Sequence, residues 1–129
     1  MLTFLLSLDY NMKLAIIGSR TFTDKKTFDA LMNEAIELWG MPEEVVSGGA
    51  WGADKLGERW ALSRGIKVTI FRPEWNKYGR SAGPIRNRDI IATATHVLAF
   101  PSRKGKGTQH SIGLAQKDPN IKLLVHWID

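Results

Sequence analysis

Five short apolar runs recur along this chain: "KLAII" (13–17), "EVVS" (44–47), "KVTIF" (67–71), "HVLAF" (96–100) and "KLLVH" (122–126). Several are continuous rather than alternating, the pattern of strands buried on both faces of a parallel sheet. Stretches with helical spacing separate them. The first is predicted over 24–39, with Phe28, Leu31, Met32, Ala35, Ile36 and Trp39 on one stripe and Gly40 as its stop. The second runs over 53–64 and ends at Gly65. A third follows Pro84, a natural first-turn residue, through Thr95. The fourth begins near Thr108 and ends before Pro119. Five strands alternating with four helices predict an α/β fold: a Rossmann-like, doubly wound open parallel sheet with helices on both faces. The one long irregular stretch is "RPEWNKYGRSAGP" (72–84), and a loop of that length in a compact domain points to function.

A chain of 129 residues with 43% hydrophobic content is sized for one domain with a real core. Residues 1–12 read as an N-terminal extension and 13–129 as the domain. The opening "MLTFLLSLDYN" has no basic lead, no small-residue cleavage site and too few apolar residues to span a bilayer. Met12 stands directly before the first strand and is a candidate start. The absence of cysteine excludes disulfides and thiolate metal sites. His96, His110 and His126 lie far apart, so neither a metal nor a cofactor is expected. A reducing, cytoplasmic setting fits this composition. The net charge of +5 and pI of about 9.7 favour anionic partners such as nucleotides, phosphate or nucleic acid, with an ordinary basic surface as the plain alternative.

In such sheets ligands bind at the carboxyl ends of the strands. There the chain places "GSRTFTD" (18–24), "SGGAWGAD" (47–54), the long loop, and "PSRKGKGTQH" (101–110). Two of these are glycine-rich turns running into helix N-termini, where unpaired N–H groups favour phosphate and glycine lets a ligand approach. Neither is a dinucleotide or P-loop fingerprint. Gly48, Gly49 and Gly52 are expected to face phosphate, or else to serve close helix–sheet packing. Asp54 is expected to bond a ribose hydroxyl or to sit in its own helix's first turn. Arg20 and Arg86 are suited to grip phosphate, and Arg88 is expected at the surface. Trp51 and Trp75 are candidate stacking plates or loop anchors, while Trp39, Trp60 and Trp127 read as packing residues.

Taken together, "GSR", "SGGAWGAD", "PEWNKYGRSAGPIRN" and "GKGTQHSIGLA" resemble the YspA-like branch of the SLOG superfamily, the group of SMF/DprA and Lonely Guy proteins. The resemblance covers roughly 13–126 and implies a Rossmann-like domain binding a nucleotide or nucleotide-derived ligand. It implies ligand contacts at Gly18, Ser19, Arg20, Ser47, Gly48, Gly49, Gly52, Asp54, Trp75, Arg86, Asn87, Gly105, Gly107 and Thr108. Lonely Guy members carry R-K-x-x-M and G-G-x-G-T-x-x-E and release a base from nucleoside monophosphates. Here Asn87 and Ile90 replace the Lys and Met, and Ser111 falls where the glutamate would be. Serine cannot supply the charge that stabilises an oxocarbenium-like transition state, which leaves His110 and Asp54 as weak catalytic candidates. Binding is therefore the leading expectation, N-glycosidic hydrolysis the second and single-stranded nucleic-acid binding the third. Eight Arg or Lys against three acidic residues over 58–89 speak for the last, but these basic residues are scattered over helix, strand and loop. A homo-oligomer is expected from the resemblance alone.

Overall fold

The computed structural model describes residues 11–129. Its five strands are β1 (Lys13–Gly18), β2 (Glu44–Ser47), β3 (Lys67–Ile70), β4 (His96–Phe100) and β5 (Lys122–Val125). They form one all-parallel sheet in the order β3-β2-β1-β4-β5, with Gly18 of β1 in register with Phe100 of β4. The helices are α1 (Lys25–Trp39), α2 (Ala53–Ser63), α3 (Trp75–Tyr78), α4 (Ala82–Thr93) and α5 (Lys106–Gln116). The expected α/β architecture is the one observed, and each predicted strand ends within one residue of its place.

Alternation along β1 explains the two-faced winding. Leu14 and Ile16 join Phe28, Met32, Ala35 and Trp39 of α1 and Ala53, Trp60 and Ala61 of α2 in one apolar cluster. Ala15 and Ile17, their neighbours on the opposite face, pack with Ile90 and Ile91 of α4 and Ile112 and Ala115 of α5. A strand sandwiched in this way must be apolar at every position, which is why the central runs are continuous. Within the first cluster Phe100 stacks on Phe22 with ring centroids 4.7 Å apart and meets the tilted Phe28 ring at 5.5 Å. Met12, assigned from sequence to the extension, is a core residue: its side chain lies in the first cluster and its carbonyl accepts from Glu43 N–H at 3.0 Å.

Four other expectations need correction. The helix placed after Pro84 starts at Ala82, so the proline is its third residue; first-turn amides have no intrahelical acceptor and a proline costs nothing there. The helix expected from Thr108 starts at Lys106, taking Gly107 into its first turn. The stretch 72–84 is not wholly irregular, since it contains α3 and a 3-10 turn, Gly79–Ser81. Trp127 is 46% exposed and is not a core residue.

Candidate functional site

The strand order reverses between β1 and β4: the chain leaves β1 towards β2 but leaves β4 towards β5. Loops diverge there and open a crevice at the carboxyl ends of both strands. A cleft of about 430 Å³ occupies it, within the range of small-molecule sites. Ile17 and Ile90 supply apolar wall. Gly18, Ser19, Arg20 and Thr21 come from the loop after β1, Ala50 and Asp54 from the loop after β2 and the start of α2, and Arg86 and Asn87 from α4. The loop after β4 and α5 supply Ser102, Lys104, Gly105, Gly107, Thr108 and Ser111.

The three glycines of "SGGAWGAD" have distinct reasons. Gly52 has φ +81, and a Cβ there would collide with the Ser19 carbonyl oxygen, so it is the close-packing glycine where α2 meets the loop after β1. Gly48 and Gly49 make room for arginines. A Cβ on Gly48 would fall 2.5 Å from Nη1 of Arg86, and one on Gly49, with φ +75, would fall 2.9 Å from Nη1 of Arg72. The amides of Gly48, Gly49 and Ala50 in this turn are already engaged. The Asp54 carboxylate accepts from Gly48 N–H (3.1 Å) and Ala50 N–H (3.3 Å), and Ser47 Oγ accepts from Gly49 N–H (3.1 Å). At Gly48 and Gly49, expected to face phosphate, the turn therefore presents guanidinium groups rather than free backbone donors. Ser47 itself is buried and donates to Glu58 at 2.6 Å, pinning α2 to β2.

The open donors lie across the cleft. No side chain caps α5, so the first-turn amides around Gly107 and Thr108 face the crevice beside Lys104 with the positive end of the helix behind them. The approach loop is held by Asp129, which accepts from Ser102 Oγ (2.6 Å) and Arg103 N–H (2.9 Å), and by Gln109, whose Nε2 donates to the Gly105 carbonyl (2.8 Å).

Arg86 bridges the two sides. Its Nη1 donates to the Gly48 carbonyl at 2.8 Å, and its Nε donates to Asn87 Oδ1 at 3.0 Å. Asn87 Nδ2 in turn lies 3.4 Å from the Gly107 carbonyl and 3.3 Å from His110 Nδ1, tying α4 to α5. Asn87 is thus an orienting residue, and His110 points to it instead of lining the cleft. Ser111, one position on, does line it, as the turn of about 100° per helical residue requires.

Burial pushes the Asp54 carboxyl up to about 6, against the pull of the Ala50 N–H, the Arg86 charge and the Gly48 N–H. Burial lowers the Arg86 guanidinium from its ordinary value; Asp54 opposes this and Arg20 adds to it, and the group stays cationic. Among the described residues Arg20, Arg72, Arg86 and Lys104 belong to no salt bridge. Asp54 is the one carboxylate among the described residues that lines the crevice. Positive charge is left uncompensated there.

A second cleft of about 290 Å³ adjoins the first, lined by Trp51, Arg72, Pro73 and Trp75 and sharing Arg20, Ala50 and Arg86 with it. Trp75, expected at the ligand, lies in this second cleft. Arg72 and Ser102 were not singled out from sequence. Each stands two residues beyond a strand's last residue, the position that identified Arg20, and that signal was available.

Among the described residues no helix is long and apolar enough to cross a membrane, and no cluster of His, Asp or Glu is arranged to hold a metal. DNA processing protein A (DprA) from Streptococcus pneumoniae has the same fold, with a TM-score of 0.52 at 19% identity over 88% of this chain. The chain spans only 58% of that protein. "Gene 61 protein" of Mycobacterium phage D29 is 38% identical over 113 residues, covering 81% of this chain and 89% of the phage protein. A model of the YspA, cpYpsA-related SLOG family matches residues 12–78, from the core methionine through β1, β2 and β3 to the end of α3. The chain belongs to the YspA, cpYpsA-related SLOG family.

Proposed function

We propose that the crevice between β1 and β4 binds a nucleotide or nucleotide-derived ligand through its phosphate. Membership of the SLOG group supports a nucleotide-related or nucleic-acid-binding role in general terms. The observation that carries the finer reading is the uncapped N-terminus of α5 facing Arg20 and Arg86 across a cleft of about 430 Å³. A phosphate there takes helix-terminal N–H bonds and charge-assisted bonds from the guanidinium groups. Ile17 and Ile90 offer apolar contact to the base or sugar, and Asp54 and Ser111 offer polar partners for ribose hydroxyls. Isothermal titration with nucleoside monophosphates and the matching nucleosides tests this. The phosphates are expected to bind at least roughly tenfold more tightly, since one charge-assisted bond contributes about 1.5–3 kcal/mol. Equal affinity for both would remove the phosphate from the reading.

One observation favours a second reading. Asp54 is a buried carboxyl with a pKa of about 6 on the cleft wall, the kind of group that can serve a hydrolase. Its oxygens already accept turn amides and Ser111 brings no charge, so base release from nucleoside monophosphates is expected at background. Chromatography after long incubation decides it: release that disappears in Asp54→Asn would make the protein an N-glycosidase.

A further inference from the structure

The second cleft has a composition that the first does not account for. Three guanidinium-bearing residues, Arg20, Arg72 and Arg86, line it, and among the described residues no carboxylate does. Two tryptophans stand at it with most of their surface in water, Trp51 at 71% exposed and Trp75 at 54%. Leaving two indoles uncovered forgoes a large burial gain, and the arrangement suits a planar partner that stacks on them. Gly49 lies beneath, in a backbone conformation that side chains resist, and the missing Cβ lets the Arg72 guanidinium lie over the turn. The wall between the clefts is Arg20, Ala50 and Arg86, so an anionic linker crossing it meets two guanidinium groups, with room for one unit on either side.

We propose that this second cleft is a subsite for a further base-bearing unit, so that the protein takes a dinucleotide-sized, phosphate-bridged ligand across both clefts. This rests on the phosphate-binding reading of the first cleft. A longer strand is disfavoured because several basic residues beyond the clefts are engaged elsewhere. Arg64 lies over the Trp60 ring at 4.5 Å, Lys67 pairs with Glu44 at 3.5 Å and Lys77 sits over the Tyr78 ring at 5.0 Å.

The test titrates wild type, Trp51→Ala and Arg72→Ala with 5′-phosphorylated dinucleotides, the matching mononucleotides and 5′-phosphorylated 12-mers, following heat and tryptophan emission together. The dinucleotide is expected to bind about 5- to 150-fold more tightly than the mononucleotide, the range that one base–aromatic stack supplies, and to quench emission. Both variants should lose most of that advantage while keeping the mononucleotide affinity of wild type. Equal binding of mono- and dinucleotide, or an advantage that survives both substitutions, overturns the second subsite and leaves the first-cleft reading standing. Much tighter binding of the 12-mer than of the dinucleotide overturns it in favour of a nucleic-acid strand. Failure of every probe to bind overturns the first-cleft reading and the second subsite with it.

Discussion

Arg86 and Arg88 are two residues apart on α4, yet one reaches into the crevice and the other faces solvent, because two helical steps turn a side chain by about 200°. Arg86→Ala is expected to weaken mononucleotide binding by about 2–5 kcal/mol, roughly 30-fold to several-thousand-fold, with Arg88→Ala near wild type. Arg86→Lys recovers only part, since an ammonium cannot bond Gly48, Asn87 and a phosphate in one plane. Calorimetric titration of the three variants checks the series, and equal damage from Arg88→Ala would move the site off this face. Asp54 makes a different kind of prediction. Its pKa of about 6 in the fold lies above the ordinary 3.8, so the folded protein holds the proton more tightly than the unfolded chain does. The resulting stability is fully present below pH ~4 and is lost as pH rises through about 6, a change of roughly 3 kcal/mol. Asp54→Asn keeps an oxygen to accept the turn amides but cannot titrate. Denaturant unfolding at steps between pH 4 and 7.5 should show wild type losing stability relative to this variant by about 2–3 kcal/mol. A constant difference would mean that the carboxylate is solvated. Both residues were legible as candidates from their types and places, Asp54 behind the glycine-rich turn and Arg86 behind the long loop. Their partnership was not, because Asp54 and Arg86 lie on different helices far apart in sequence, and the bond that holds Arg86 to the turn, to the Gly48 carbonyl, spans 38 positions.

Helical glycines show at the level of the element why local pattern reaches only so far. Gly57 in α2 faces β1, and a Cβ there would lie 2.8 Å from Ile16 Cγ2, whereas Gly107 in α5 has nothing within 4 Å. Propensity treats both alike and favours alanine by up to about 1 kcal/mol. Packing separates them. Gly57→Ala should destabilise by about 1–3 kcal/mol as α2 is pushed from the sheet, and Gly107→Ala should stabilise by up to about 1 kcal/mol. Gly107→Asp should also raise the melting temperature, because a first-turn carboxylate favours the helix dipole. It should weaken mononucleotide binding, because that charge occupies the field the phosphate would use. Thermal melts paired with titrations separate the two effects, and undiminished binding in Gly107→Asp would take the α5 N-terminus out of the site. The same limit governs what could be read in advance. Strand ends and the α1 stripe were legible because the two-faced core demands apolar residues at a fixed period. The starts of α4 and α5 were misplaced by two residues each because proline and glycine are tolerated anywhere in a first turn, and sequence alone does not say which position they take.

At the scale of the whole molecule, charge and topology converge on one end of the sheet. The chain carries a net charge of +5, which by itself says only that anions are favoured. The order β3-β2-β1-β4-β5 makes that charge specific. It brings Arg20, from the loop after β1, together with Arg72, from the loop after β3, Arg86 on α4 and Lys104, from the loop after β4. Three other basic residues are drawn off into contacts elsewhere, Lys25 with Asp29, Lys55 with Glu58 and Lys67 with Glu44. Four cations suit a ligand with one or two phosphates, and salt dependence separates such a ligand from a nucleic-acid strand without knowing the base. A protein making 6–10 phosphate contacts to duplex DNA loses about 10³–10⁵ in affinity between 50 and 200 mM salt. A ligand confined to the two clefts meets too few cations to follow that law. Its affinity is expected to fall by less than about tenfold over the same range, because the Arg86 contact is half-buried and poorly screened. Titration of a 5′-phosphorylated dinucleotide and of a 12-mer at 50, 100 and 200 mM sodium chloride measures both slopes on the same sample. A shallow dinucleotide slope with little or no 12-mer gain fits the two clefts. A steep slope that grows with strand length would mean that charge outside the crevice carries the binding, and that the unpaired arginines at the strand ends are only one part of a longer track.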